Sequence, residues 1–413
     1  MNYSLYFHIP FCTHRCAYCD FNTYAGQQAL IPAYVEALIR EVETVANSAP
    51  QRLPVHTIFF GGGTPSLLTP KQFEQILRSI TDLFDLSDLE TSLEANPGTV
   101  SLDSLQGLRR VGFNRISFGV QSFHADELHQ LERIHDPFDV LNAVRWARKA
   151  GFDNLNIDLI YGLPEQSLLR WQESLRRAVD LDPEHLSLYA LTVEPGTPFG
   201  RWAARGLMPL PDPDLAADMY EAASDFLEGQ GYGQFEISNW SQPGFQCRHN
   251  LQYWRNQPYL GFGAGAHGCA NRLRISNVLR IKTYIEHFHP DHLISDHIIP
   301  STVFPLSPAT VNKIRLTPYV EMQETLMLGL RLTQEGVSAD EFQQGFGRDL
   351  MEIFGKEIER LVGLGLLEWW SADSKAPKER GQTGKRMETD GTLRLTKRGR
   401  LLGNQVFMEF VGE

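Results

Sequence analysis

"SLYFHIPFCTHRCAYCDF", residues 4–21, joins two signals at one point of the chain. The run 4–10 is apolar and β-prone, and the loop behind it carries Cys12, Cys16 and Cys19 at offsets of four and three. Three thiolates are one short of an ordinary four-ligand metal site. Thiolates hold zinc and iron–sulfur clusters alike. For zinc, His8, His14 or Asp20 is at hand as a fourth ligand; for a [4Fe–4S] cluster, three protein ligands leave one iron open to bind something else.

Working outward, apolar β-branched runs recur at 4–10, 55–63, 91–97, 115–122, 155–164 and 186–195. Stretches with apolar residues at helical spacing lie between them, such as "IPAYVEALIREVETVA", "KQFEQILRSITDLF", "FDVLNAVRWARKAG" and "LLRWQESLRRAVDL". Strand–helix alternation predicts parallel strands with helical crossovers, here a partial (β/α)6 TIM-like barrel. Polar and glycine residues gather where these strands end: Cys12, the "GGGTP" run, Glu94, Gln121 and Asp158. C-terminal strand ends carry the active sites of barrels, so these chain-distant residues are expected at one mouth.

The barrel is expected over 1–290, a Pro-punctuated connector over 291–318, and a second domain over 319–413. In the last, three helices, a β-hairpin and a closing helix follow the winged-helix order. "QFEISNWS" reads as a strand after a helix in "DLAADMYEAASDFLEGQGY", and the polar segment 372–391 as a mobile loop within the hairpin.

The 413 residues include 50 acidic and 38 basic ones, a net charge of -12 that argues against a general phosphate-backbone binder. The basic group Lys375, Lys378, Arg380, Lys385, Arg386, Lys397, Arg398 and Arg400 leaves a nucleic-acid-binding winged helix as a minor alternative. The N-terminus has no basic region of the signal-peptide kind, and no apolar run reaches the roughly 20 residues a bilayer span needs. A cytoplasmic protein is expected. Five cysteines, three of them crowded, favour metal chemistry over disulfides.

The spacing Cys12-x3-Cys16-x2-Cys19, with "GGGTP" after the second strand, resembles the radical S-adenosylmethionine (SAM) superfamily. In that family the open iron of a [4Fe–4S] cluster chelates the amino acid end of SAM, and an electron from the cluster breaks the sulfonium bond to give a 5′-deoxyadenosyl radical. Further stretches, "LYFHIPFC", "EANPGT", "NRISFGVQSF", "LERIHDP", "NIDLIYGLPEQ", "YALTVEPGTP", "CRHNLQYW" and "YLGFGAGAHG", extend the resemblance over nearly the whole chain. They are similar to the branch containing oxygen-independent coproporphyrinogen III oxidases and HemW-type haem chaperones.

The resemblance implies roles for particular residues. Tyr6 lies beside cluster and SAM, and Tyr18 packs on the adenine. Gly61, Gly62, Gly63 and Thr64 offer backbone groups to the SAM amino and carboxylate ends. Glu94 and Gln121 bind SAM's polar groups, Arg133 its carboxylate and Asp158 a ribose hydroxyl. Arginine's planar fork suits a carboxylate, and an acidic side chain suits a ribose diol. Read singly, the glycines are a tight turn and the polar groups are strand-end loop anchors.

Two departures separate the branch members. The oxidases carry a fourth cysteine where this chain has Phe21, and an N-terminal extension where only five residues precede Tyr6; both favour the chaperone. "HNLQYW", 249–254, matches the chaperone HNxxYW motif and makes His249 the candidate haem ligand, with Tyr253 and Trp254 as aromatic neighbours. The alternative is that His249 and Asn250 pin a loop. Cys247 reads as packing, with a thiolate or thioether bond to haem as the alternative; Cys269 and His267, in a glycine-rich stretch bordering the barrel mouth, and His135, which follows Arg133 toward the site, are assigned no role.

The expected cofactors are therefore a [4Fe–4S] cluster, SAM and haem. The expected partners are haem, a haem-accepting apo-protein such as a membrane respiratory enzyme, an electron donor and a second copy of the chain. Contact with the inner membrane is expected only through a protein partner. Whether SAM is turned over is left open by the sequence, as is coproporphyrinogen oxidase activity.

Overall fold

The structure, a computed structural model, describes residues 2–289, 303–371 and 391–411. The chain divides into two units: Met1–Tyr232 with Ser241–His249 and Pro258–Arg315, and Gly233–Trp240 with Asn250–Gln257 and Leu316–Glu413. The HNxxYW segment is thus split, His249 belonging to the first unit and the rest to the second.

In the first unit six parallel strands, Tyr3–Ile9, Pro54–Gly62, Asp85–Ala95, Arg115–Gln121, Leu155–Tyr161 and His185–Ala190, lie in chain order in one sheet. Helices Ile31–Ser48, Pro70–Leu83, Leu102–Arg110, Pro137–Ala150 and Leu168–Val179 are the crossovers. This is the partial (β/α)6 barrel. Their starts are written locally: Thr69, Ser101 and Asp136 each cap the following helix in a capping box.

The pleat sorts the strand residues. Leu5, Phe7, Ile58, Phe60, Leu93, Ile116, Phe118, Ile157 and Leu188 are buried and make the outer, helix-facing core. Phe7 stacks on Phe60 at 4.7 Å and on Phe262 at 5.1 Å, and Phe73 and Phe113 close edge-on around Phe60. Each such ring contributes about 1.5–3 kcal/mol by leaving water. The opposite face of the same strands is polar: Ser4, Thr57, Glu90, Ser92, Arg115, Ser117, Asn156, His185 and Ser187 are all buried there. Bulky apolar layers fill an ordinary closed barrel. Here the inner face keeps groups that hydrogen-bond.

The sheet continues beyond the first strand through four strands not foreseen from sequence. Tyr259–Phe262 pairs parallel with it, and His267–Ala270, Leu273–Asn277 and Thr310–Arg315 follow antiparallel. Residues 310–315, expected in the connector, are therefore a sheet strand. Residues 291–302 of that connector lie outside the described residues. The turn Gly263–Ala266 is tied to the first helix by Glu41. This carboxylate accepts from Gly263 N at 2.7 Å, Asn277 Nδ2 at 2.7 Å, Tyr284 OH at 2.6 Å and Ser307 Oγ at 2.8 Å. Burial raises its pKa against those four hydrogen bonds. Gly263 sits at φ 101°, where a side chain would meet Tyr34 OH and the His8 carbonyl.

The second unit contains helices Pro318–Gly329, Ala339–Phe346, Leu350–Gly363 and Gly403–Phe410. The hairpin strands Leu367–Trp370 and Thr392–Leu395 pair antiparallel, and Val337–Ser338 adds a third strand. Leu326, Phe342, Phe354, Ile358, Leu393, Leu395 and Phe407 form its core. Arg331 lies over the Trp254 and Phe407 rings at 5.0 and 4.8 Å. "QFEISNWS" forms two short strands, Gly233–Glu236 and Asn239–Ser241, in place of one. Most of the expected hairpin loop, with Lys375, Lys378, Arg380, Lys385 and Arg386, lies outside the described residues.

Candidate functional site

The three cysteines open the mouth of the barrel. Cys12 is buried at the end of the first strand, while Cys16 and Cys19 are partly exposed, and none forms a disulfide. The loop is fixed at Ala17, whose N donates to Leu131 O at 3.3 Å and whose O accepts from Phe199 N at 3.0 Å. Beneath it Ala17 packs with Leu131, Ile160, Leu163, Leu191, Phe199 and Met208, with Tyr18 against that cluster. Thr64 donates to Cys12 Sγ at 3.6 Å and Arg133 to Cys16 Sγ at 3.5 Å. Burial raises the Cys12 and Cys19 thiols, and each of the two is raised a little more by Cys16.

Two of the three candidates for a fourth zinc ligand are engaged elsewhere, and the third is exposed. His8 has both ring nitrogens engaged, by Tyr6 OH at 3.0 Å and by the Asn22 carbonyl at 2.9 Å. His14 pairs with Glu132 at 3.2 Å, and Asp20 is exposed. Among the described residues no three His, Cys, Asp or Glu side chains converge tightly enough for a single metal ion. A cluster does not demand that convergence, because each thiolate meets a different iron.

Around this loop the structure assembles the other mouth residues. Tyr18, Arg133, Cys16, Cys19 and Asp158 sense one another electrostatically: burial raises the Tyr18 hydroxyl and Arg133 opposes it. Arg133 also donates to the Gly119 carbonyl, and its buried Nε has no hydrogen-bond partner among the described residues. An arginine nitrogen left unpaired in a buried place fits a ligand carboxylate. Gln121 stands at φ 70°, and a Cβ on Gly119 would lie 2.9 Å from its Nε2 and 3.2 Å from Arg133. Asp158 accepts from Ser117 at 3.0 Å and Asn156 at 2.7 Å; burial raises it against these bonds.

The glycine run is anchored by its own amides. Gly62 N donates to Glu94 Oε2 at 3.0 Å, Gly63 N to Ile9 O at 2.9 Å and Thr64 N to Phe11 O at 2.8 Å. The Gly63 and Thr64 amides thus tie the run to the start of the cysteine loop, and the Gly62 amide ties it to Glu94. The glycines are required sterically: a Cβ would meet the His8 ring at 2.5 Å from Gly62 and Phe11 O at 2.7 Å from Gly63. Glu94 is pushed up to about 7, first by desolvation and then by Asp158, with the Gly62 amide pulling it down. Tyr6 stacks on Phe59 at 6.3 Å, and burial together with Glu94 raises its hydroxyl.

His249 lies beneath Tyr6, their rings 6.4 Å apart. It is 0% exposed, with Nδ1 2.8 Å from Thr57 Oγ1 and its ring stacked 5.0 Å from Phe59. Burial, His56 and Arg115 push its pKa to about 3. Glu90, which sequence did not single out, accepts the amides of Arg248 at 3.1 Å and His249 at 3.2 Å. It thereby caps the helix Arg248–Trp254 from a distant strand. Cys247 is likewise buried, 3.8 Å from Glu90. The imidazole is thus enclosed in this structure. His135 is buried, with Nε2 3.1 Å from the Val120 carbonyl.

Comparison with known proteins agrees with this construction. Residues 6–178 match the radical SAM superfamily and residues 316–369 the HemN C-terminal domain. The heme chaperone HemW of Bacillus subtilis is 38% identical over 413 residues, covering 99% of both chains. That of Lactococcus lactis is 34% identical, covering 99% of this chain and 97% of its own. Among solved structures, coproporphyrinogen III oxidase (HemN) from Escherichia coli, described as a radical SAM enzyme, superposes with a TM-score of 0.78 at 25% identity, over 99% of this chain and 90% of that one. With end-to-end similarity to curated members and the three-cysteine mouth in place, the chain belongs to the HemW family of radical SAM proteins.

Proposed function

We propose that the protein is a haem chaperone that binds haem and passes it to an apo-haemoprotein, and that it carries a [4Fe–4S] cluster and SAM. The observation that carries the reading is the full-length similarity to proteins named heme chaperone HemW. Phe21, in the place of the oxidases' fourth cysteine, supports it. Membership of the radical SAM superfamily implies the cluster and SAM, and the mouth fits both. Cys12, Cys16 and Cys19 would hold the cluster. Backbone groups of Gly61, Gly62, Gly63 and Thr64 with Glu94 would take the SAM amino end, Arg133 its carboxylate, Asp158 the ribose, Gln121 a polar edge, and Tyr6 and Tyr18 the flat surfaces. Bound there, the pair supplies a low-potential electron and a cleavable sulfonium bond. The chain's own part is to orient SAM and keep water from the thiolates.

No helix among the described residues is long and apolar enough to cross a membrane. A membrane-bound acceptor, such as a respiratory enzyme, would therefore be met as a protein partner.

The test is anaerobic haem titration of the cluster-loaded protein followed at the Soret band, then transfer to a purified apo-haemoprotein. Saturation near one haem per chain and gain of acceptor activity are expected; unsaturable adsorption would end the chaperone reading. The superposition on coproporphyrinogen III oxidase favours a second reading, oxidative decarboxylation of coproporphyrinogen III. That reading needs protoporphyrinogen to form with SAM and reductant, and to vanish in Cys16→Ala.

A further inference from the structure

The proposed function needs a haem site, and His249 is enclosed in this structure. The strands added beside the barrel offer another histidine. Tyr6 pairs with Gly261 in the parallel register, and Tyr259 pairs with Cys269 in the next, antiparallel one. Residues opposite or two apart share a sheet face, so Tyr6, Gly261, Cys269 and His267 lie on one face. A Cβ on Gly261 would collide with the His267 carbonyl oxygen, so only glycine lets the strand bearing His267 close over this position. His267 is exposed, yet it is near enough to His8 to add to the lowering that burial imposes on the His8 ring. His8 in turn holds Tyr6 and the Asn22 carbonyl. An accessible imidazole thus stands at the edge of the mouth.

The surroundings have the chemistry of a flat apolar ligand with acidic side chains. Phe21, at the end of the cysteine loop, is 63% exposed and Leu279 is 58% exposed. Asn22, next to Phe21, ties the two together by donating to Leu279 O at 3.0 Å. It also donates to Ala264 O at 3.1 Å, within the turn Gly263–Ala266 that leads directly into His267. Gly265 packs directly on Asn22, where a side chain would collide. Arg280, next to Leu279, is exposed and cationic.

Resting on the chaperone reading, we infer that haem docks at this rim, with His267 as an axial ligand of its iron, the macrocycle against Phe21 and Leu279, and a propionate toward Arg280. Imidazole is a common axial ligand of haem iron, and aromatic and aliphatic rims suit the macrocycle's apolar faces. The site lies beside the cluster mouth and leaves His249 as a structural residue.

The experiment is an anaerobic haem titration of the full, cluster-loaded chain, comparing wild type with His267→Ala, Phe21→Ala and Cys269→Ser. Iron content and circular dichroism confirm that each variant is folded. His267→Ala should weaken haem about tenfold or more and shift the Soret band. Added imidazole should restore the wild-type band, which a merely structural role would not allow. Phe21→Ala should weaken binding and leave the band position unchanged. Unchanged affinity and spectrum in His267→Ala would overturn the site while saturable wild-type binding left the chaperone reading standing. Loss of the band in Cys269→Ser alone would likewise overturn the ligand assignment. Failure of the wild type to bind haem would overturn both.

Discussion

The loop 12–19 and the segment 247–249 both set cysteine beside histidine, and the fold treats them oppositely. In the first, Cys16 and Cys19 keep part of their surface open, and their neighbours are an arginine with an unpaired nitrogen and carboxylates held above their usual range. In the second, Cys247 and His249 are buried at 1% and 0% exposure, and Glu90 and Thr57 take the backbone amides and the ring. Similar residue types therefore make a site in one place and a brace in the other. What differs is whether polar atoms are left over once the fold has used what it needs.

The largest effect that would sharpen this contrast is loss of the cluster. Cys16→Ala should cut iron from about four per chain to near none after anaerobic reconstitution, because a three-ligand site has no spare thiolate. Full iron in that variant would remove the cysteine loop from the comparison. Next is the brace: His249→Ala should destabilise the fold by about 3 kcal/mol, through a lost buried ring and the loss of one of the two side-chain hydrogen bonds at Thr57, without changing iron content. Denaturant midpoints measure it, and a variant as stable as wild type would break the structural reading.

A smaller effect concerns Glu94, whose carboxyl is raised to about 7. Since its folded pKa lies above the unfolded value, ligand-free stability should fall as pH rises from the ordinary carboxylate range through 7. SAM affinity should move the other way, rising through pH 7 as the carboxylate forms to meet an ammonium. Titrations from pH 6 to pH 8 should show this slope in wild type and none in Glu94→Gln; equal slopes would detach Glu94 from SAM. Smallest is His14→Ala, which removes an exposed pair worth at most about 0.5 kcal/mol. Iron binding should be unaltered, and a loss of metal would restore His14 as a ligand.

Much of the barrel was legible because its signals are local. Each strand run was bounded by glycine or polar residues, and each crossover helix showed its apolar spacing, often behind a capping residue such as Thr69 or Asp136. The added strands were not legible: "HGCA" and "TVNKIR" are short, and they become strands by pairing with neighbours far along the chain. Glu41 and Glu90 were invisible for the same reason, since an acidic residue in a helix or strand looks solvent-facing until the groups that saturate it arrive from elsewhere. Nor could spacing show that the amides of Gly62, Gly63 and Thr64 go to Glu94, Ile9 and Phe11.

By itself, the sequence determined the alternation of strands and helices, the three thiols on one loop, and the order in which mouth residues follow the strands. These depend on residue type, period and spacing, which neighbours along the chain express. Only the tertiary structure decided which polar groups face the mouth with capacity to spare, that His249 is enclosed, and that His267 stands at the rim. Those outcomes depend on burial and on partners distant in sequence, because a hydrogen bond's availability is set by what the folded surroundings have already taken.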